Sequence, residues 1–495
     1  MSRPYNLHSS SVIILVQAKP YSVVQWKQIR RRLILPPPSH GPDQRLPRRA
    51  PPRHPHPTPL PHAAARTSLL SRRWTRVWAG LPVLDFEGSY KEPHDFMDSV
   101  DAALAAFSAP AVRRLQIAVP NSDVPAATRV APWLRFASQR LVGTLYLHVR
   151  YPWSWAAAAG RPVQEIELPV CDAASRITLD LSLRWRLQIQ PAPSFAALSD
   201  LEIKGATMEA RVLEDLVSSQ CPNLRNMILK LSLVASSNVS IRSKSLSSLT
   251  YHVSKTSRIE VVARKLEVLS VRSADEARIS APKLAEVHVF GGPRPYKFVK
   301  APRHLQLLDV RNISASLVQH FDKVEKLKLG VFIQGIKEYK SFVAATKKLP
   351  VSDILHVSWQ CLKPRCHGFV PSMLHILRRC NGTRRLTVNY YCYGTSASPS
   401  MICSCPASCP CRLPESCNTD DITLNLLEEV EINFVEGSPD EVELFVKQLS
   451  KCNAPVLKKV AINYRARHDT LITKELCAKV RSMCRQDLNV EFNMT

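Results

Sequence analysis

"LEVLSVRSADEARISAPKLAEVHVFG", residues 266 to 291, holds the same short pattern twice: apolar, two free positions, apolar, one free position, apolar. Leu266, Leu269 and Val271 form the first copy, and Leu284, Val287 and Val289 form the second, 18 residues further on. Alternation with a period of two marks a short strand with one buried face. "SAP" ahead of Lys283 supplies a proline-bounded corner before the second strand. One such strand cannot bury its apolar face or pair its edges alone, so it requires neighbours of the same kind.

Those neighbours lie on both sides. The pattern starts at Val112, Val142, Val163, Leu198, Leu224, Leu246, Leu305 and Val324, and from Leu224 onward successive starts are separated by 22, 20, 18, 21 and 19 residues. Recurrence near 20 residues is the signature of stacked units of the leucine-rich-repeat type, in which each unit adds one strand to a parallel sheet. The expected fold class is therefore α/β: an irregular leucine-rich-repeat solenoid with a curved parallel sheet. Two features of regular arrays are missing from the pattern. A laddering asparagine is not consistently present, and the connections, such as "SADEARISAP", are short, which implies non-helical or barely helical returns. Glu267, Ser270 and Arg272 are expected on the exposed strand face, around Val268, Leu269 and Val271 in the core.

A net charge of +26 suggests nucleic acid until it is divided along the chain. Residues 1 to 80 carry 14 Lys and Arg against one acid, Asp43, and so hold half of the excess in a sixth of the length. The charge marks an unusual N-terminal segment, and the repeats are only mildly basic. Residues 36 to 61, "LPPPSHGPDQRLPRRAPPRHPHPTPLP", are too proline-rich for helix or sheet, so residues 1–59 are expected to form a disordered basic tail. The acid-free start also fits a mitochondrial transit peptide, and Arg30 to Arg32 fit nuclear import or RNA contact. A solvated tail is the favoured reading. No run approaches the ~18 apolar residues of a membrane helix, and 14 cysteines without a secretory signal suit reduced thiols in the nucleus or cytoplasm.

Beyond the tail, "RTSLLSRRWTRVWAGLPVLDF" (residues 66 to 86) places Leu69, Leu70, Trp74, Val77 and Trp78 on one helical stripe, with Arg72, Arg73 and Arg76 mostly outside it. A DNA-reading helix presents basic and polar side chains and has a companion helix, neither of which is found here. Nucleic acid is accordingly disfavoured. From Leu60 to Phe86 the chain closely resembles the end of the F-box in the large plant F-box family. In that family the box is a three-helix unit that docks on the Skp-type adaptor of a Skp–cullin–F-box ubiquitin ligase. The resemblance implies that Leu60, Pro61, Leu69, Leu70 and Trp74 pack within the box or against the adaptor, with internal packing alone an equal alternative for each.

The family's first helix, an acidic and apolar "RLPDELLxxIL"-like stretch, is absent, and "RLPRRAPPRHPH" (Arg45 to His56) stands in its place. If the codons of Arg48 through Pro55 are read one base later, their fixed positions permit Asp-Glu-Leu-Leu-His-Ala-Ile-Leu, directly after Arg45-Leu46-Pro47. Residues 48 to about 59 are thus compatible with a frame-shifted translation of the missing helix. Replacing apolar turns by Pro and Arg removes several side chains, each contributing ~1.5 to 3 kcal/mol on burial, so adaptor docking is expected to be impaired.

Near the other end, Cys403, Cys405, Cys409, Cys411 and Cys417 lie within 15 residues. Zinc, disulfides and free thiols are all open, with free thiols favoured because C-x-C is cramped and no second knuckle lies nearby; Cys361, Cys366 and His367 are too isolated to add to it. The cluster resembles the Cys-rich lead-in to the FBD region of plant F-box proteins, and Leu426 to Tyr464 resembles that region itself, with Cys417 where the family commonly has Trp. Two strands ("LLEEVEI", "LKKVAI"), a helix from Asp440 to Lys451 opened by Ser438-Pro439, a second helix over 472–485 and a final "LNVEF" strand make a small C-terminal α/β cap on the solenoid. The expected organisation is tail 1–59, partial F-box 60–88, repeats 95–400, Cys-rich loop 401–419 and FBD-like cap 420–495.

With 14 glycines and no G-x-G-x-x-G, G-x4-G-K-S/T, G-x-S-x-G or H-E-x-x-H, neither catalysis nor a cofactor is expected. The resemblance implies the substrate-recognition subunit of a Skp–cullin–F-box ligase, with adaptor, cullin and an unidentified protein substrate as partners and no membrane. A ligase-independent repeat protein, or the product of a decaying gene, is the alternative; a basic nucleic-acid binder rests on the tail alone.

Overall fold

The computed structural model describes residues 81–87, 93–119, 126–149, 163–190, 195–291, 295–311, 315–333, 336–361, 368–392, 418–435, 439–465 and 474–494. The chain divides into two compact units, residues 1–185 and 186–495.

In the first unit the elements are β1 (Val83–Glu87), α1 (Pro93–Ala106), β2 (Val112–Val119), α2 (Ala127–Arg140), β3 (Leu141–Val149), β4 (Gln164–Leu168) and β5 (Arg176–Asp180). Strands β1, β2, β3 and β5 pair in parallel, with Leu84, Leu115, Leu145 and Ile177 along one buried row. The sheet begins inside the segment assigned from sequence to the partial F-box, because "VLDFE" alternates and finds β2 as its partner. Val130, Trp133, Leu134 and Ala137 form the buried stripe of α2, and Trp133 Nε1 donates to Asp101 Oδ1 at 2.6 Å. A Cβ on Gly143 would collide with the Arg113 carbonyl oxygen beside the register shift between β2 and β3, so only glycine permits that approach.

The second unit is a parallel ladder. Its principal strands are β7 (Asp200–Met208), β8 (Asn226–Ser243), β9 (Ser248–Ala263), β10 (Val268–Ser280), β11 (Glu286–Phe290), β13 (His304–Arg311), β14 (Lys323–Val331), β15 (Val351–Cys361), β16 (Arg385–Cys392), β17 (Glu429–Val435), β18 (Lys459–Arg465) and β19 (Asn489–Met494), each paired in parallel with the next. The unit boundary falls within β6 (Trp185–Ile189). Every repeat motif in this unit from Leu198 to Val324 begins or closely precedes one of these strands. The sequence spacings of 22, 20, 18, 21 and 19 are the structural register: Asn226 faces Ser248, then Val268, Glu286, Leu307 and Lys326 follow in one row.

Two return paths explain why the repeat is irregular. Strands β8, β9 and β10 are 18, 16 and 13 residues long, and each turns a corner so that its far half pairs with its neighbour a second time. β12 (Tyr296–Lys300) pairs with the far half of β10. The expected short, non-helical returns are therefore strands, including Ala274 to Ser280 of the "SADEARISAP" connection. Lys255 (φ 61°) and Ser273 (φ 74°) turn these corners in the left-handed region, where L-residues carry a steric cost. Buried Tyr251 donates to Thr256 Oγ1 at 2.9 Å, and Thr256 in turn donates to the Val253 carbonyl at 3.0 Å, which ties the two halves of β9 together.

After β14 the returns are helical: α5 (Ile336–Ala345), α6 (Phe369–Leu377), α7 (Pro439–Leu449) and α8 (Lys474–Met483), preceded in chain order by α3 (Ala210–Asp215) and α4 (Ala315–Val318). A helix needs more chain than a strand, and the row advances from Lys326 to Ile354, Arg385, Glu429, Lys459 and Asn489, steps of 28 to 44 residues. The C-terminal strands and helices form as expected, with the first helix at Pro439–Leu449 and the second at Lys474–Met483, and their strands continue the ladder. Rings stack through the core here: Tyr390 on Phe434 at 5.3 Å and Phe434 on Tyr464 at 5.6 Å between centroids.

Candidate functional site

The exposed face of the main sheet in the second unit is built by alternation. On each strand the buried positions, such as Leu269 and Val271 on β10 or Leu308 and Val310 on β13, point to the core, and the positions between them point away. Parallel registry aligns the outward residues into three rows across the strands. On β10 they are Val268, Ser270 and Arg272, so Val268 belongs to this face and not to the core expected from sequence, because the period of two places it with Ser270. Ser270 is outward yet only 8% exposed, covered by its neighbour His252, whose Nε2 lies 3.0 Å from its hydroxyl.

The middle row carries His288, with Nδ1 3.6 Å from Asp309 and Nε2 3.5 Å from Glu286. Hydrogen bonding to Asp309 raises its pKa above the usual value, against the opposing effect of burial. His252 is pushed down to about 4, by burial first and then by Lys230 and Arg272; burial, Lys328 and Lys326 also lower His356. In the outermost row, Phe290 meets the edge of His252 at 5.7 Å and lies beneath the Arg311 guanidinium at 5.0 Å.

Toward the C-terminal strands the same face satisfies itself. Asn493 donates to Asn463 at 2.9 Å, Asn463 to Asn433 at 2.8 Å and Asn433 to Asn389 at 2.8 Å, and Asn389 meets His356 at 2.6 Å. Arg385 pairs with Glu429 at 3.5 Å and Lys459 with Glu491 at 2.7 Å. An asparagine ladder thus exists, on the exposed face of the last four strands. Its signal was available in "LTVNYY", "VEINFV", "VAINYR" and "VEFNM", where Asn follows the second buried apolar residue each time.

Two open grooves lie at the strand starts. One, of about 690 Å³, is lined by Pro282, Leu284, His304, Gln306, Lys323 and Asp353; the other, of about 350 Å³, by Asn223, Arg225, Ser247, Lys265 and Glu267. Among the described residues no three or more His, Cys, Asp or Glu side chains are grouped to hold a metal, and no helix is long and apolar enough to cross a membrane. Burial pushes the thiols of Cys171, Cys221 and Cys380 up to about 12, which keeps them protonated and poorly nucleophilic at neutral pH. The predicted adaptor-contact residues Leu60, Pro61, Leu69, Leu70 and Trp74 lie outside the described residues, as does the cysteine cluster from Cys403 to Cys417.

Residues 130–294 match the family model described as the leucine-rich repeats of FBD-associated F-box protein At5g56370. The chain is 36% identical over 85 residues to a protein of Arabidopsis thaliana named F-box protein At1g49610, a match covering 17% of this chain and 20% of that one. It is 23% identical over 342 residues to another from Arabidopsis thaliana, named F-box/LRR-repeat protein At5g02930, covering 66% of this chain and 67% of the relative.

Proposed function

We propose that this chain, by its matches and its fold a plant F-box/leucine-rich-repeat protein, is a non-enzymatic substrate-recognition subunit of a Skp–cullin–F-box ubiquitin ligase. The observation that supports it most is the exposed sheet face, a continuous set of registered polar rows from β7 to β19 of the size a polypeptide partner requires. Leu60, Pro61, Leu69, Leu70 and Trp74 supply what the chain retains of the adaptor contact, and the nucleus or cytoplasm is the compartment. Adaptor docking is weakened because Pro and Arg between Arg45 and His56 replace an apolar helix. That same replacement favours a second reading, a repeat protein that engages partners without any ligase.

Co-precipitation with a Skp-type adaptor separates the two. The chain as it stands should capture little adaptor, and a version with residues 48–55 replaced by Asp-Glu-Leu-Leu-His-Ala-Ile-Leu should capture it strongly. Failure of the repaired chain to bind sinks the ligase reading. Equal binding by both chains removes the impairment.

A further inference from the structure

From β8 to β15 the exposed face holds five cations with no carboxylate within ion-pair distance among the described residues: Lys230, Arg272, Arg311, Lys326 and Lys328. Its two outward carboxylates, Glu286 and Asp309, are both engaged by His288. Elsewhere in the unit, charges on the strands are matched. On the far halves of β8 to β10, Arg258 grips Glu276 at 2.8 Å and Arg242 grips Glu260 at 3.0 Å, and on β16 to β19 the Arg385–Glu429 and Lys459–Glu491 pairs recur. The uncompensated positive charge is therefore confined to one stretch of one face.

We infer that this stretch binds an acidic segment of a protein partner, rich in Asp and Glu, lying across the strands. The inference deepens the proposed recognition role and rests on it. Lys230 on β8, Arg272 on β10 and Arg311 on β13 share a row, two strand steps apart in turn. Each double step is about 10 Å, and an extended chain covers that in about three residues. The complementary segment accordingly carries a carboxylate at every third position. Charge complementarity of this kind steers association and sets specificity.

The cations stand singly, with no two guanidiniums converging on one point as bidentate phosphate recognition favours. Phe290 is the aromatic side chain among them, and Arg311 covers one of its faces, which leaves little platform for stacked bases. Dispersed carboxylates on a polypeptide fit this arrangement better than phosphates or RNA.

The test is fluorescence anisotropy on the full chain with a labelled 13-residue peptide bearing Glu at every third position. Its comparators are a Gln counterpart, a phosphoserine counterpart and a 13-nucleotide oligouridylate. The Glu peptide should bind at least tenfold tighter than the Gln peptide and weaken as salt rises. The double variant Arg272→Glu/Arg311→Glu should lose at least tenfold, and Arg272→Gln/Arg311→Gln should lose part of that. Lys459→Gln, in the self-paired region, should bind as the parent does. Equal binding of Glu and Gln peptides, indifference to the double variants, or tighter binding of the phosphoserine peptide or the oligouridylate overturns the inference. Adaptor capture by the repaired chain is read separately. If the adaptor binds and the Glu peptide does not, the acidic assignment falls and the recognition role stands; the reverse pattern retains the acidic site without the ligase.

Discussion

His375 is buried between α5 and α6, 7% exposed, with its ring 5.6 Å from that of Phe342 and Nε2 2.9 Å from Thr346 Oγ1. Thr346 spends its proton on the Phe342 carbonyl at 2.7 Å, so the imidazole is the donor in the His375 contact. Burial first, then Arg379 and Arg378, push the His375 pKa down to about 4. A histidine held neutral in the fold and free to ionise when unfolded contributes stability that is complete above pH 6.5 and declines as the pH falls toward 4. The shift from 6.5 to about 4 corresponds to about 3 kcal/mol at the acid limit. His375→Phe should flatten this part of the stability profile between pH 6.5 and 4, whatever its baseline, when urea unfolding is followed across that range. An unchanged slope would remove His375 from the account. His288 has the opposite sign: its raised pKa contributes stability below pH 6.5 that is lost as the pH rises through the folded value.

At the scale of elements, β16 to β19 are joined on both faces by side-chain ladders, amides outside and rings inside. Asn433 is the link that both donates, to Asn389, and accepts, from Asn463. Asn433→Ala leaves both neighbours short of a partner and should cost about 1–3 kcal/mol, the penalty for unsatisfied, partly buried amides. Asn433→Asp keeps the acceptor and loses the donor, so it should fall between parent and Ala. A double-mutant cycle with Asn463→Ala, read from denaturant midpoints, checks the coupling; additive losses would show that the amides act independently. The corners of β9 and β10 depend on something else, the willingness of Lys255 and Ser273 to hold positive φ, and no pattern of apolar residues announces that.

For the whole molecule, stability in a stacked array is a sum of unit and neighbour terms, and any new end is an open edge. Ending the chain after residue 437 strips Tyr464 from Phe434 and Asn463 from Asn433, and turns β17 into an edge lined by Val430, Ile432 and Phe434. Such a chain should run as oligomers in size-exclusion chromatography at concentrations where the full chain is monodisperse. A monodisperse truncated chain would mean that β18 and β19 contribute little.

The strand-return repeats were legible because Leu224, Leu246, Leu266, Leu284, Leu305 and Val324 each begin a unit whose length is its register shift. Legibility faded after Val324, where helical returns lengthened the step and removed the regular period; β15 and β16 went unread for that reason. The exposed face was half visible: alternation identifies its residues, but neither the asparagine ladder nor the unpaired cations follow from any one strand. By itself the sequence determined that short strands stack in parallel and which side chains they bury, since apolar periodicity is local and burial must satisfy it. Only the tertiary structure decided which charges are neutralised and which stand free, because an ion pair or an amide ladder forms between residues some 18 to 44 positions apart, brought side by side by the register.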